Sequence, residues 1–229
     1  MKKIAIIPAR GGSKRLPGKN IKKICGRPLI EWTIEAALKS KLFDRIIVST
    51  DSDEIREISI RAGAEVPYLR SPELSSDTAT TNDVVTDIVN WLEGTGVVVS
   101  TIMILQPTSP LRTETDIINA FDLMVEKKAK AIVSVCEIEH PIQYCNVLED
   151  DLSMDNFIPE ASIKRTQDLP TYYRLNGSIY LFNRDYVSNI NTIYSKGTFA
   201  YIMNRFNSID IDEEIDFELA EILLSKRIN

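Results

Sequence analysis

The chain has 229 residues, 44% hydrophobic and 26% charged, with a formal net charge of -6. That is apolar material for one large domain with an appendage, or for two small ones, and the acidic balance speaks against nucleic acid as the main partner, since duplex binding draws on a broad basic face. No apolar run approaches the ~20 residues of a membrane span, the start is too short for a signal peptide, and Cys25, Cys136 and Cys145 are odd in number without C-x-x-C spacing, so a membrane location, a disulfide framework and a zinc site give way to a reducing cytoplasm.

Ile4-Ala5-Ile6-Ile7 reads as a first buried strand. It runs straight into Pro8-Ala9-Arg10-Gly11-Gly12-Ser13-Lys14-Arg15-Leu16-Pro17-Gly18-Lys19-Asn20, a loop with three glycines and four cations, Arg10, Lys14, Arg15 and Lys19. Glycines let backbone N–H groups turn onto an anion while the cations neutralise charge that N–H groups alone cannot, so the loop reads as a polyphosphate cradle, against the plainer alternative of a solvated basic face. It is not a Walker A loop, because one residue too many separates Gly12 from Gly18-Lys19 and Asn20 stands where Ser or Thr belongs. Nor is it the dinucleotide fingerprint, because Gly11 and Gly12 are adjacent and Pro17 interrupts.

Pro28 opens a helix with Leu29, Ile30, Ile34, Ala37 and Leu38 on one face. Arg45 to Thr50 is a second strand, Asp53 to Ala62 a second helix, and Ala64 to Leu69 a third strand ended by Ser71-Pro72. Asn82 caps a helix through Leu92; Thr101 to Leu105 and Ala131 to Val135 are strands with a helix from Thr113 to Val125 between them. Strands separated by helices imply an α/β fold, a mostly parallel sheet covered on both faces, whose ligands bind beyond the carboxyl ends of the strands. The basic loop, Thr50-Asp51 and the Gln106-to-Arg112 turn all emerge at that edge.

From about His140 the order breaks and resumes only at Tyr172 to Phe182. Residues 140–176 are therefore set apart as an inserted segment, with 1–139 and 177–229 forming the nucleotide-binding α/β domain. His140, the single histidine, precedes Pro141 and is given no role. Ser208 to Asp212 reads as a strand that sends Asp210 and Asp212 to one face, followed by a last helix, Ile215 to Leu224. Two neighbouring carboxylates repel unless a cation bridges them, and Mg²⁺ takes oxygen ligands shared with substrate phosphates; a pair of capping or edge-strand aspartates is the alternative.

The basic loop, Leu105-Gln106-Pro107-Thr108-Ser109-Pro110-Leu111-Arg112, Arg174-Leu175-Asn176-Gly177-Ser178-Ile179-Tyr180 and Ser208-Ile209-Asp210-Ile211-Asp212, in this order along the whole chain, resemble the CMP-sialic acid synthetases, the acylneuraminate cytidylyltransferases. The opening motif I-P-A-R-x-G-S-K-x-L-P-x-K-N is met without a break. The resemblance implies a nucleotide-diphosphosugar-transferase-like domain, a homodimer formed by a small swapped segment, Mg²⁺, and transfer of CMP from CTP to a nine-carbon α-keto acid sugar. It implies Arg10, Lys14 and Lys19 as catalytic residues on the triphosphate and Gly12, Ser13, Asn20, Arg70, Asp77 and Thr78 beside them at the nucleotide. Gln106, Thr108, Ser109, Arg165 and Asn176 would face the sugar, and Asp210 and Asp212 would hold the metal. N-acetylneuraminate, legionaminate and pseudaminate remain open as the sugar, and a CMP-Kdo or other sugar nucleotidyltransferase, or a non-catalytic nucleotide-binding module, are the more distant readings.

Overall fold

The computed structural model of the chain describes residues 1–155, 157–158 and 165–228. The β-branched run at the start forms β1 (Lys2–Pro8), and β4 (Arg45–Ser49), β5 (Val99–Leu105), β6 (Ala131–Glu137), β7 (Tyr173–Asn183) and β8 (Thr198–Ile202) complete a six-stranded sheet in the order β4-β1-β5-β7-β6-β8. Only β7 runs against its neighbours; the remaining pairings are parallel. A short antiparallel pair, β2 (Lys23–Ile24) and β3 (Arg27–Pro28), leads into the first helix.

Helices α1 (Leu29–Ser40), α2 (Asp53–Arg61) and α5 (Glu114–Glu126) cover one face and α4 (Thr81–Gly94) the other, with α3 (Pro72–Ser75) a single turn between them. The two apolar layers this requires are present: Ala5, Ile7, Val48, Met103 and Leu105 point to one face, and Ile4, Ile6, Ile47, Ile102 and Ile104 to the other. A third cluster lies under α6 (Glu214–Ile228), where Phe217, Ala220 and Leu224 meet Leu16 from the basic loop and Ile211 from between the two aspartates. Burying each such side chain is worth about 1.5–3 kcal/mol. Two apolar residues thus pin two polar segments to one helix.

Several expectations need correcting. Ala64 to Leu69 forms no strand and makes only isolated bridges at Glu65 and Leu69, because Pro67 between them has no N–H to donate. Thr80, not Asn82, caps α4, in a reciprocal capping box with Asp83, while Asn82 Oδ1 accepts from Ile190 N at 3.0 Å. Leu38 is half exposed, although the helix face it was placed on is otherwise buried. Ser208 to Asp212 is not a strand: instead of a ladder it has a backbone bond from Ile211 N to Thr108 O at 2.9 Å and side-chain ties from Lys19 and Asn176. β8 is a strand that the sequence pattern does not announce, because its five residues, with Ala200 at the centre, carry a weak alternation.

Candidate active site

The carboxyl ends of β1 and β5 open onto a cavity of ≈ 430 Å³. Its wall brings together Arg10, Ser13, Lys14, Arg15, Lys19, Asn20, Gln106, Thr108, Asp210 and Asp212. A second cavity, of ≈ 280 Å³, adjoins it through Arg10 and Gln106 and adds Arg70 and Asp77.

The loop is held from several sides. Gly11 N donates to Asp51 Oδ1 at 2.7 Å, Asn20 Nδ2 donates to Arg10 O at 2.9 Å, and Gly18, at φ 65°, turns the chain into the Lys19–Ile21 3₁₀ turn. Lys19 is buried, and its ammonium donates to Ile211 O and stands 3.4 Å from Asp212 Oδ1. Arg15 pairs with Asp212 Oδ2 at 3.1 Å. On the opposite side Asp77 receives Arg10 at 3.0 Å and Lys14 at 2.5 Å, and those cations, Lys14 foremost, hold its carboxyl below the usual range. All four loop cations therefore face a carboxylate from elsewhere in the fold.

Burial pushes the Asp210 carboxyl up, and the neighbouring Asp212 charge adds to this, while a hydrogen bond with Thr108 acts against it. Its surroundings suit a bound cation better than a bare anion. Among the described residues no group of three or more His, Cys, Asp or Glu is placed to hold a metal. Two carboxylates with the rest of the shell left to phosphate oxygens and water fit Mg²⁺, a hard cation that seldom uses an all-protein cage.

Arg70 Nε donates to Ser49 Oγ at 2.9 Å and its Nη2 to Ser49 O at 2.5 Å; burial pulls its pKa down. Arg112, to which no role had been given, is fully buried: it donates to Ser178 O at 2.9 Å, Thr33 Oγ1 at 2.7 Å and Gln106 O at 3.2 Å, tying α1, β7 and the Gln106 turn together. Burial brings its pKa down to about 9.

Five expected site residues lie off both cavity walls. Gly12 and Thr78 are exposed, and Thr78 Oγ1 sits 3.1 Å from Ser76 Oγ. Ser109 is buried within its own turn, where its N donates to Gln106 O at 3.3 Å. Arg165 is exposed at a 3₁₀ turn, its carbonyl accepting from Asp168 N at 2.8 Å. Asn176 is 1% exposed, with its amide committed inside the protein.

A cationic cradle at the carboxyl edge of a mostly parallel sheet, facing a carboxylate pair, defines a nucleotidyltransferase of α/β fold. A family model described as cytidylyltransferase matches residues 4–227, and the chain belongs to that family, among the nonulosonate cytidylyltransferases. It is 38% identical to CMP-N,N'-diacetyllegionaminic acid synthase of Legionella pneumophila, over 98% of this chain and 97% of that protein. It is 33% identical to pseudaminic acid cytidylyltransferase of Campylobacter jejuni, over 97% and 96%. With N-acylneuraminate cytidylyltransferase of Escherichia coli it shares 35% identity over 98% of this chain but 52% of that longer protein. The fold is shared with a CMP:2-keto-3-deoxy-manno-octonic acid synthetase solved with CTP, at TM-score 0.72 and 18% identity over 99% of this chain and 100% of that one.

Proposed function

We propose that the chain transfers CMP from CTP to the anomeric hydroxyl of a nine-carbon α-keto acid sugar, an N-acylneuraminate or its legionaminate counterpart, releasing pyrophosphate. The observation that carries this is the single cavity in which the four loop cations meet Asp210 and Asp212. The names of the relatives support a nonulosonic acid as the acceptor, and their similar identities favour no one acid strongly.

In this reading Arg10, Lys14 and Lys19 bind the triphosphate and neutralise charge that develops on the leaving pyrophosphate. Arg70 lines the adjoining cavity on the nucleotide side; Gln106 lines both cavities, and Thr108 shares the first with the aspartates, where the acceptor hydroxyl has to arrive. Asp210 and Asp212 would hold Mg²⁺, which when bound would add positive charge at the reacting phosphate and orient the attacking oxygen. The chain's own share is positioning: a cradle fixed before the substrate enters saves reorganisation at the moment of reaction.

Assembly belongs to the same proposal. Ile142, Val147, Leu148, Leu152, Met154 and Ile158 are exposed on the inserted segment, and covering such a patch with a second copy would make a homodimer. Arg165, which is off the cavity wall of its own subunit, would reach the sugar only across such an interface. CTP as a substrate fits an enzyme of the cytoplasm, and among the described residues no helix is long and apolar enough to cross a membrane.

Pyrophosphate release with CTP and, in parallel, N-acetylneuraminate, legionaminate, pseudaminate and Kdo tests the reading. Turnover of one or more of the nine-carbon acids is expected; turnover of Kdo alone, or of none, would reject it.

A further inference from the structure

β7 slips out of step with β6 where it passes the aspartates. Val133 faces Tyr180 and Val135 faces Leu175, so β7 spends five residues where β6 spends two. A bulge of this kind re-aims side chains and leaves backbone groups without ladder partners. Ser134, the β6 residue inside the gap, fills it: its Oγ donates to Asn176 Oδ1 at 2.6 Å and accepts from Ile179 N at 2.8 Å, while Ser178 N donates to the same Oδ1 at 3.2 Å. The other end of the amide reaches out of the sheet. Asn176 Nδ2 donates to Ser208 Oγ at 2.9 Å and lies 3.3 Å from Met203 Sδ, and Ser208 Oγ donates to Asn204 O at 2.8 Å.

An amide has two acceptor sites and two N–H groups, and all four are used here inside the protein, which leaves none for a ligand. Ser134, Asn176 and Ser208 are each buried to within 1%. Ser208 stands two residues before Asp210, and the next backbone anchor is Ile211 N on Thr108 O. Asp210 is therefore slung between a fixed serine and a fixed loop. Gly177, at φ 71°, lets β7 pass close behind it: a Cβ there would sit 3.4 Å from Asp210 Oδ2.

We infer that Asn176 is a positioning residue that acts through Ser208 to set the backbone presenting Asp210 and Asp212, and that it does not touch the sugar. The inference rests on the reading of that pair as metal-holding carboxylates. Partners behind metal ligands commonly control affinity as much as geometry does.

The test compares Asn176→Ala, Ser208→Ala and the double variant. Mn²⁺ binding in the presence of CTP is followed by electron paramagnetic resonance, CTP binding in EDTA by calorimetry, and the sugar KM at saturating Mn²⁺ by kinetics. Each single variant should weaken Mn²⁺ binding by about tenfold, and the double by no more than the worse single, with CTP binding in EDTA and the sugar KM near wild type. Ser208→Ala removes one oxygen from a residue off the cavity wall, so it keeps the inference testable if Asn176→Ala does not fold. Wild-type Mn²⁺ binding by Ser208→Ala, with a raised sugar KM for Asn176→Ala, would make Asn176 a sugar ligand and overturn the inference. A loss of CTP binding in EDTA together with a lower melting temperature would also overturn it, by reducing the bracket to general support. Asp212→Asn is run alongside: unchanged Mn²⁺ binding there would sink the metal reading itself.

Discussion

Between Pro8 and Asn20 the chain is polar and yet pinned, whereas between His140 and Tyr172 several of the described apolar side chains stay exposed. In the first stretch Leu16 sits in the cluster under α6, Gly11 and Lys19 bond to segments far away in sequence, and the four cations face Asp77 and Asp212. In the second, Val147 is 87% exposed and Leu152 70%, and the described secondary structure before β7 is two short 3₁₀ turns. The cavity that brings the loop cations to Asp210 and Asp212 is lined from this one chain. The described part of the inserted segment leaves apolar side chains uncovered, so in the proposed dimer sugar recognition and nucleotide binding should respond differently to the same perturbation.

The largest effect should come from the carboxylates, where the pinned half would meet the proposed metal. Asp212→Asn or Asp210→Asn would remove one of the two proposed charged oxygen ligands, and a loss of several kcal/mol of transition-state stabilisation corresponds to a fall in kcat of about 10²–10³-fold. Steady-state kinetics across a Mg²⁺ series should show that excess metal does not restore the rate. Near-normal turnover would remove these aspartates from the chemistry.

Lys14 comes next, because it is the most exposed of the loop cations and pairs with Asp77 at the cavity edge. Lys14→Ala should lower kcat/KM by about 100-fold, the low end for losing one preorganised electrostatic donor, with no change in melting temperature. A variant that stays active and melts earlier would make the loop structural.

The comparison is tested directly by charging the inserted segment. Val147→Asp with Leu148→Asp should shift the protein to monomer in light scattering and raise the sugar KM by roughly tenfold, while CTP affinity stays put, since interface cores tolerate charge poorly and the loops that bind nucleotide lie elsewhere. A fully active monomer would leave no reason to place Arg165 near the sugar.

Much of the pinned half was legible in the sequence, for reasons the structure makes concrete. Short β-branched runs between amphipathic helices mark β1, β4, β5 and β6, and cations crowded among glycines mark the cradle. What was not legible depends on contacts between distant residues. Pro67 ends a pairing that local propensity favoured. The burial of Asn176 follows from a bulge in β7 that no local pattern announces. Arg112 looked like any arginine after a turn, yet it is fully buried under the cleft floor. Same-face placement of Asp210 and Asp212 on the cavity wall survives although the strand it was argued from does not exist, because Ile211 between them is drawn into the cluster under α6 and leaves its neighbours facing the cavity.

The smallest effect separates two meanings of the Asp77 carboxylate. It receives Lys14 at 2.5 Å and Arg10 at 3.0 Å from the cavity wall, where a triphosphate would compete for the same cations. Those cations, Lys14 foremost, lower its pKa, so its charge persists as pH falls through the ordinary carboxylate range and is lost only below the lowered value; at neutral pH the competition is in full force. Asp77→Asn should therefore tighten the binding of metal-free tripolyphosphate by about 2–5-fold, the scale of one exposed ion pair, and the gain should shrink as salt screens the site. Calorimetry at neutral pH and two ionic strengths measures both. If Asp77→Asn instead binds tripolyphosphate more weakly, the carboxylate aims Arg10 and Lys14 at the nucleotide, and the pinned loop owes its geometry to Asp77 as well as to Leu16.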